Sequence, residues 1–455
     1  MNLDSPEVKL SAQLVQRAAA MAISPLQADV QFIAKQCILD WVGVALAGSR
    51  ELVAQIVISQ CLEEGARPAV SLIGSAHRVS VRQGALVNGV SGHAIDYDDT
   101  NVAAQGHVTA AVLPAALAMA EAQGRSGEEL LRAFSAGYEM ACMVGQFLGR
   151  AHYERGFHAT CIVGSFGAAF AAATLLKLDA QQTAIALGIA GTQAGGQKAQ
   201  FGTMCKPLHA GKAGENGVTG AQLALRGFTG CDHFLEAPQG FAAATSPSAD
   251  RQAALSLPPK GSYLHGNLFK YHAACYGTHA SIEAVQRLCR THGLDAKDIR
   301  RIQLDVESGS DQMCNIAAPD TGLQVKFSLR MSAALAVAGE NTADPAIYVD
   351  TMTQRPDLIA LRNRVEVNLM LEGWPRMMAR ADIEMLDGRR FETSYDSGIP
   401  EADLALQGTR LERKFMSLVT PILGEERSAQ IAKMIQALES LGNVSELMAL
   451  LQKPS

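Results

Sequence analysis

Aromatic side chains are scarce, with 14 Phe, 8 Tyr and 2 Trp making up only 5% of the 455 residues. A cavity walled by rings is therefore not expected, and the core must be filled by smaller side chains at close approach. Charge is scarce as well. Charged residues are 18% of the chain, the formal net charge is −6, and no Lys/Arg-rich run occurs, so nothing here would track a phosphate backbone and no nucleic-acid partner is expected. The nine cysteines are scattered, odd in number and never spaced CxxC. That pattern argues for reduced thiols in the cytoplasm and offers no zinc framework. No unbroken run of about 18 apolar residues is present, so no membrane span is expected. The stretch MNLDSPEVKLSAQLVQRAAAMA carries charges early and lacks the basic head and apolar core of a secretion signal. Gly211-Lys212 is followed by Ala213, without the spacing of a phosphate loop, so ATP binding is not supported. No period of 20 to 50 residues repeats.

What is present is a hydrophobic content of 48% in a chain too long for one ordinary core, which leads to an expectation of two domains. From residue 7 to about 230 the apolar spacing is helical, as in QADVQFIAKQCILDWVGVALAG and AAVLPAALAMAEAQG, with runs of Gly and Ala such as GSFGAAFAAATLLKLD. Near residue 260 the pattern changes. Period-two alternation in RRIQLDVES, RVEVNLM and ARADIEMLDGRRFETSYD predicts strands, with Asp387-Gly388 marking a hairpin turn. Helices are expected at VKFSLRMSAALAVAGE and RPDLIALRNR. The fold class expected is mainly α with a second α+β domain: an all-helical domain over 1–262, an α+β domain over 263–398, and C-terminal helices over 399–455 returning to the first. A cleft between domains is then the natural place for a ligand.

Four stretches could carry chemistry. SGHAIDYDDTNVAAQGH, residues 91–107, sets Asp96, Asp98 and Asp99 between His93 and His107. If the stretch ends a helix, His93 and Asp96 share a face and Asp98 points elsewhere, which makes Asp96 the carboxylate for an imidazole. His107 precedes a helix beginning near Val108, whose dipole would lower its pKa and favour a neutral ring. The plainer alternative is an acidic turn with His107 as a cap. In HYERGFHATCIVGSFG, His158 precedes a Gly/Ala-rich helix near Tyr153 and Arg155, so an anion could meet helix amides, a cation and an imidazole together. In FGTMCKPLHAGKAGENG, Lys206 stands before Pro207 in an expected extended conformation, and His209 and Gly211 lead into a helix with free first amides that would suit a carboxylate. In KYHAACYGTHASIEA, Cys275 and His279 have the i, i+4 spacing of a ligand pair but lack further ligands, and no metal is expected.

Taken together, NGVSGHAIDYDDT…GH, GFHATCIVGSFGAAFAAA, FGTMCKPLHAGKAGENGVTGAQLALRGFTG and TGLQVKFSLRMSAALA resemble the MmgE/PrpD family, which includes 2-methylcitrate dehydratases, cis-aconitate decarboxylases and iminodisuccinate epimerases. The resemblance runs in order from about residue 10 to 450. It implies a helical domain with a smaller α+β lid, a homodimer, a small carboxylate substrate and no metal or organic cofactor. It implies catalytic roles for Asp96, His107, His158, Lys206 and His279, with substrate contacts from His209, Lys212, Tyr153 and Cys275. The shared reaction step changes bonding at a carbon next to a carboxylate, so Lys206 and helix amides would stabilise growing negative charge while histidines move the proton. Two positions depart from the family pattern. Glu215 stands where GxAARNG has arginine, which would weaken tricarboxylate binding if it faces the site, with Lys212 a possible compensation. Met331 stands where decarboxylase-like members tend to have tyrosine. Both changes argue against a citrate-like substrate, and FGTMCKP with GFTGC is more similar to the epimerase-type members than to the decarboxylases. Dehydration is the first expectation, with epimerisation or decarboxylation as alternatives. Two readings lie outside this class: a terpene cyclase, from the bare DxDD of Asp96 to Asp99, and a non-catalytic carboxylate binder.

Overall fold

The computed structural model describes residues 9–371 and 373–453. The chain ends of the expected division, residues 1–8 and 454–455, lie outside the described residues. Two compact units emerge, one from 1–269 with 402–455, the other from 270–401.

The first unit is helical. In order it holds α1 (Leu10–Ile23), α2 (Ala28–Gly48), α3 (Leu52–Glu64), α4 (Val81–Ser91), α5 (Val108–Ala122), α6 (Gly127–Leu148), α7 (Ala151–Glu154), α8 (Ala159–Leu175), α9 (Ala180–Gly191), α10 (Cys205–Leu225), α11 (Phe241–Thr245) and α12 (Arg251–Leu255). Two minimal ladders, β1 (Val70–Ser71) with β2 (Arg78–Val79) and β3 (Thr100–Asn101) with β4 (Asn267–Leu268), fasten loops to this frame. Ser80, Ser126 and Asp179 each close a capping box, which fixes the starts of α4, α6 and α9. By length and composition α2 could cross a membrane, yet 78% of its apolar window is buried within the protein. It packs chiefly against the C-terminal helix over 404–423, and it carries the buried Trp41 and Asp40.

The second unit holds α13 (Tyr276–His292), β5 (Ile299–Glu307), α14 (Ser310–Cys314), α15 (Gly322–Val325), α16 (Leu329–Val337), α17 (Pro356–Arg362), β6 (Val365–Met370), β7 (Met378–Met385) and β8 (Arg390–Asp396). Its sheet runs β6-β5-β7-β8, with β5 and β6 parallel and the other pairs antiparallel. Ile302, Leu304 and Val306 of β5 and Ala379, Ala381, Ile383 and Met385 of β7 are buried at alternate positions, the face that the period-two pattern predicts. The β7–β8 hairpin turns at Asp387-Gly388, where Gly388 has φ 89°. The single helix expected over VKFSLRMSAALAVAGE is broken: α15 ends at Val325, and Ser328, extended and accepting from the Met331 amide, restarts the chain as α16. A serine that can serve as an N-cap outcompetes continuation of the helix. Met331 is fully buried in the core of this unit. The chain then returns to the first unit as α18 (Leu404–Leu423), α19 (Glu425–Gln436) and α20 (Val444–Leu451).

Candidate active site

Small residues bring the helices of the first unit close enough to converge. Ala111 of α5, Cys161 of α8 and Ala213 of α10 form one buried cluster, and a Cβ on Gly164 would lie 2.3 Å from the Ala111 Cβ. Where α4 crosses α10, a Cβ on Gly211 would lie 2.3 Å from the Leu86 carbonyl oxygen, so only glycine permits the crossing. The starts of α5, α8 and α10 and the end of α4 thereby meet around one set of polar side chains.

That set is built on the 92–107 loop. After Ser91 the chain leaves the helix in turns, and Asp96 adopts the left-handed region at φ 52°, as does Gln105 at φ 54°. Asp tolerates this conformation better than most residues, but strain of this kind survives only where surroundings impose it. The redirected chain places His93 Nδ1 2.8 Å from Asp98 Oδ1, and His107 Nδ1 2.9 Å from Asp98 Oδ2. The two rings are 4.5 Å apart. Burial would lift the Asp98 carboxyl, but the imidazoles of His93 and His107 hold it well below the usual carboxylate range. Burial pushes His93 down, against the pull of Asp98. This corrects the expectation that Asp96 serves the imidazole while Asp98 points away: α4 stops before His93, so helical spacing does not govern the pair.

Asp96 instead meets the Lys206 ammonium at 2.8 Å and stands 3.8 Å from His107 Nε2. Lys206 is not extended. It lies in the first turn of α10, with Pro207 next to it, where a missing amide hydrogen costs little because first-turn amides have no intrahelical partner. His158 is the N-cap residue of α8 and His107 that of α5. The Nδ1 atoms of His158 and His209 are 3.0 Å apart. Burial pushes His158 well down, aided by nearby His93 and Lys206, and burial also lowers His209. Two neutral rings sharing one Nδ1 proton account for that distance. Phe201 sets its ring edge-on to His158 at 4.9 Å, with the Lys206 ammonium 5.6 Å from its centroid. Sequence reasoning passed over Phe201 and left His93 and Asp98 out of the catalytic set. Treating Gly92 as a helix end would have pointed to the latter two. Asp99 is buried scaffold, accepting from the Thr109 hydroxyl at 2.6 Å and the Asn267 amide at 2.9 Å, and burial lifts it to about 6.

The other candidates lie elsewhere. Lys212 pairs with Glu215, which also receives Arg82 at 3.0 Å. Glu215 follows Lys206 by nine positions, about half a turn round the helix in angle, so it occupies the opposite face of α10. Tyr153 carries the Lys198 ammonium 3.9 Å from its ring centroid. His279 and Cys275 belong to the second unit. His279 is buried beneath Tyr276 at 4.8 Å and His272 at 5.0 Å, with Nε2 3.3 Å from the Ala274 carbonyl, and burial holds it well below the ordinary histidine value. Cys275 precedes α13, and its hydrogen bond to Cys314, together with burial, raises the Cys314 thiol.

Of the described residues, His93, Asp96, Asp98 and His107 could offer four metal-ligating atoms within 4.8 Å of one another. The donor chemistry would suit a divalent transition metal, but Lys206 already sets a cation on Asp96, and Asp98 is engaged by both imidazoles. Asp98 is held between two imidazoles, and Asp99 is bonded to Thr109 and Asn267.

Comparison with known proteins adds an independent finding. The family model for the MmgE/PrpD N-terminal domain matches residues 12–254 and that for the MmgE/PrpD C-terminal domain matches residues 272–440. The chain is 28% identical to a cis-aconitate decarboxylase of Homo sapiens, over 92% of this chain and 90% of that one. It is 27% identical to a cis-aconitate decarboxylase-like protein of Aspergillus oryzae, over 98% of both. A cis-aconitate decarboxylase of Aspergillus terreus is 25% identical over 98% of this chain and 96% of its own.

Proposed function

This chain belongs to the MmgE/PrpD family, and on that premise we propose that it is a lyase acting next to a carboxylate of a small tricarboxylate, with decarboxylation of a cis-aconitate-type substrate as the first reading. The observation that carries it is the pair of imidazoles held below the ordinary histidine range, His158 and His209, at 3.0 Å, beside the Lys206 ammonium. Lys206 and the opening amides of α8 would hold substrate carboxylates and the charge that develops as the bond to the departing carboxylate breaks. The first amides of α10, expected to be free, are taken, those of Cys205 and Lys206 by Thr203 and that of Leu208 by the Met204 carbonyl. The released electron pair spreads onto the neighbouring unsaturated carboxylate. A proton from the histidine set completes the carbon as carbon dioxide leaves. His107, oriented by Asp98, is the proposed donor, with His158 relayed through His209. The decarboxylase names of the relatives move this reading ahead of dehydration, and the position of Glu215 on the far face of α10 removes one objection to a tricarboxylate.

Dehydration is the second reading, favoured by one observation: the His158–His209 pair and the His107–Asp98–His93 group are two distinct clusters, with His93 and His158 rings 6.2 Å apart, which would serve as two proton-handling units. An elimination needs both a base and an acid. Incubation with 13C-labelled cis-aconitate and, separately, 2-methylcitrate distinguishes the two. Release of labelled carbon dioxide supports decarboxylation, whereas conversion of methylcitrate to an unsaturated tricarboxylate without gas release overturns it. A homodimer in the cytoplasm is proposed as the working state.

A further inference from the structure

Lys414 of α18 has a side chain only 3% exposed, and its partner Asp40 of α2 is 1% exposed. The ammonium lies 2.6 Å from Asp40 Oδ1, donates to the Tyr97 carbonyl at 2.7 Å, and sits 3.8 Å from the centroid of the Tyr97 ring. Tyr97 is fully buried and stands between Asp96, which touches Lys206, and Asp98, which touches His93 and His107. Stability does not explain such a pair. Removing a carboxylate and an ammonium from water is costly, and well-packed apolar residues in their place are often as stable or more so. What apolar residues cannot do is hold a carbonyl oxygen in a chosen direction.

The docking of α18 gives this contact its rigidity. Gln407 donates to Gln36 at 2.6 Å, and a Cβ on Gly43 would come within 3.1 Å of Phe415, so α18 is seated on α2 at both sides of the ion pair. One turn of the loop is thus gripped from beneath, while Asp96 is held in a left-handed conformation that an unconstrained chain would leave. Asp98 and Asp99 also lie close enough to Asp40 to act on its charge, and Lys414 is the cation that opposes them and burial at Asp40.

We propose that Lys414 is a positioning residue for the acid/base site: by fixing the Tyr97 carbonyl it sets Asp96 on Lys206 and Asp98 between the two imidazoles, without itself touching substrate. The inference rests on the reading that this loop handles the proton. Three variants of the full chain test it: Lys414→Met, the double variant Asp40→Leu with Lys414→Met, and Asp40→Asn. The apolar double variant removes the grip while restoring a burial-compatible pair, and Asp40→Asn keeps the lysine on Tyr97. The double variant is expected to melt close to the parent while kcat falls by about 10- to 100-fold, the loss expected for misplacement on the ångström scale, with KM within about threefold. Asp40→Asn is expected to keep most of kcat. A second readout needs no substrate: in protein carrying 15N-histidine, the downfield His93 Nδ1 proton on Asp98 is expected in the parent and in Asp40→Asn and to shift or vanish in the double variant. An unchanged His93 signal with parental kcat in the double variant overturns the proposal, as does failure of the double variant to fold, which would make the pair a requirement of the domain itself. If the parent turns over none of the tricarboxylates, the proposed reaction fails, and the His93 signal alone decides the role of Lys414.

Discussion

Asp98 is a residue whose importance its sequence position conceals. In SGHAIDYDDT it looks like one acid of three, yet it is the one buried between two imidazoles. The i, i+3 argument that favoured Asp96 failed because the helix stops at Ser91 and a left-handed residue then turns the chain. His107, His158 and Lys206, by contrast, were legible, because each stands at or just inside a helix start that glycine, alanine or proline announces. Asp98→Asn would keep the shape but no longer stabilise imidazolium. Its kcat is expected to drop by about 10²- to 10⁴-fold with little change in KM, the range for losing positioned acid/base catalysis, measured by steady-state kinetics. The histidine pair makes a second prediction. His158 and His209 are pushed below the ordinary value of about 6.5, so they stay neutral as pH falls through 6.5. A profile of kcat/KM is therefore expected to remain level there and to decline only at lower pH, whereas an acid limb centred at or above 6.5 would contradict the neutral pair.

Helices converge on this site because their contact faces carry almost no side chain. The Gly/Ala runs of GSFGAAFAAATLLKLD and the scarcity of aromatics pointed to close packing, and they delivered it at Gly164, Ala111 and Ala213. What the runs could not reveal is which helix crosses which, since small residues are compatible with many crossings. Gly211→Ala tests the one between α4 and α10. The added Cβ would meet the Leu86 carbonyl oxygen at 2.3 Å and Val90 at 2.7 Å, so the helices must separate and carry Lys206 away from Asp96. Unfolding in urea is expected to show a loss of about 1–3 kcal/mol, and kcat/KM a fall of about 10-fold or more. The strands of the second unit were easier to read, since alternation and the Asp387-Gly388 turn are local signals. The cap at Ser328 was missed because the apolar pattern continues through it.

Over the whole molecule, buried ionisable groups pull stability in opposite directions with pH. His93, His158 and His279 have folded pKa values below their unfolded ones, so the unfolded chain binds more protons and their contribution is lost as pH falls below about 6.5. Asp98 is likewise depressed, and its contribution disappears as pH falls below the ordinary carboxylate range. Asp40 and Glu139, lifted to about 7, and Asp99, lifted to about 6, act the other way: the folded chain binds the extra protons, and stability declines as pH rises from about 4 toward 7. Glu139 accepts from the Ser262 hydroxyl and the Tyr263 amide, two bonds that a glutamine oxygen can keep. Glu139→Gln is therefore expected to make the unfolding free energy rise more steeply with pH between 5 and 6.5, by up to about 1.4 kcal/mol per unit. Identical slopes in chemical denaturation would show that Glu139 is ionised in the folded protein.

The central claim is that the histidine set moves a proton at a carbon beside a carboxylate. Proton NMR in D2O, with cis-aconitate, 2-methylcitrate and citrate offered in turn to the parent and to His158→Ala, tests it most directly. The account predicts decarboxylation of the cis-aconitate-type substrate with one deuterium entering the product carbon, and its abolition in His158→Ala. Product formation without deuterium, or undiminished turnover in the His158→Ala enzyme, would contradict it.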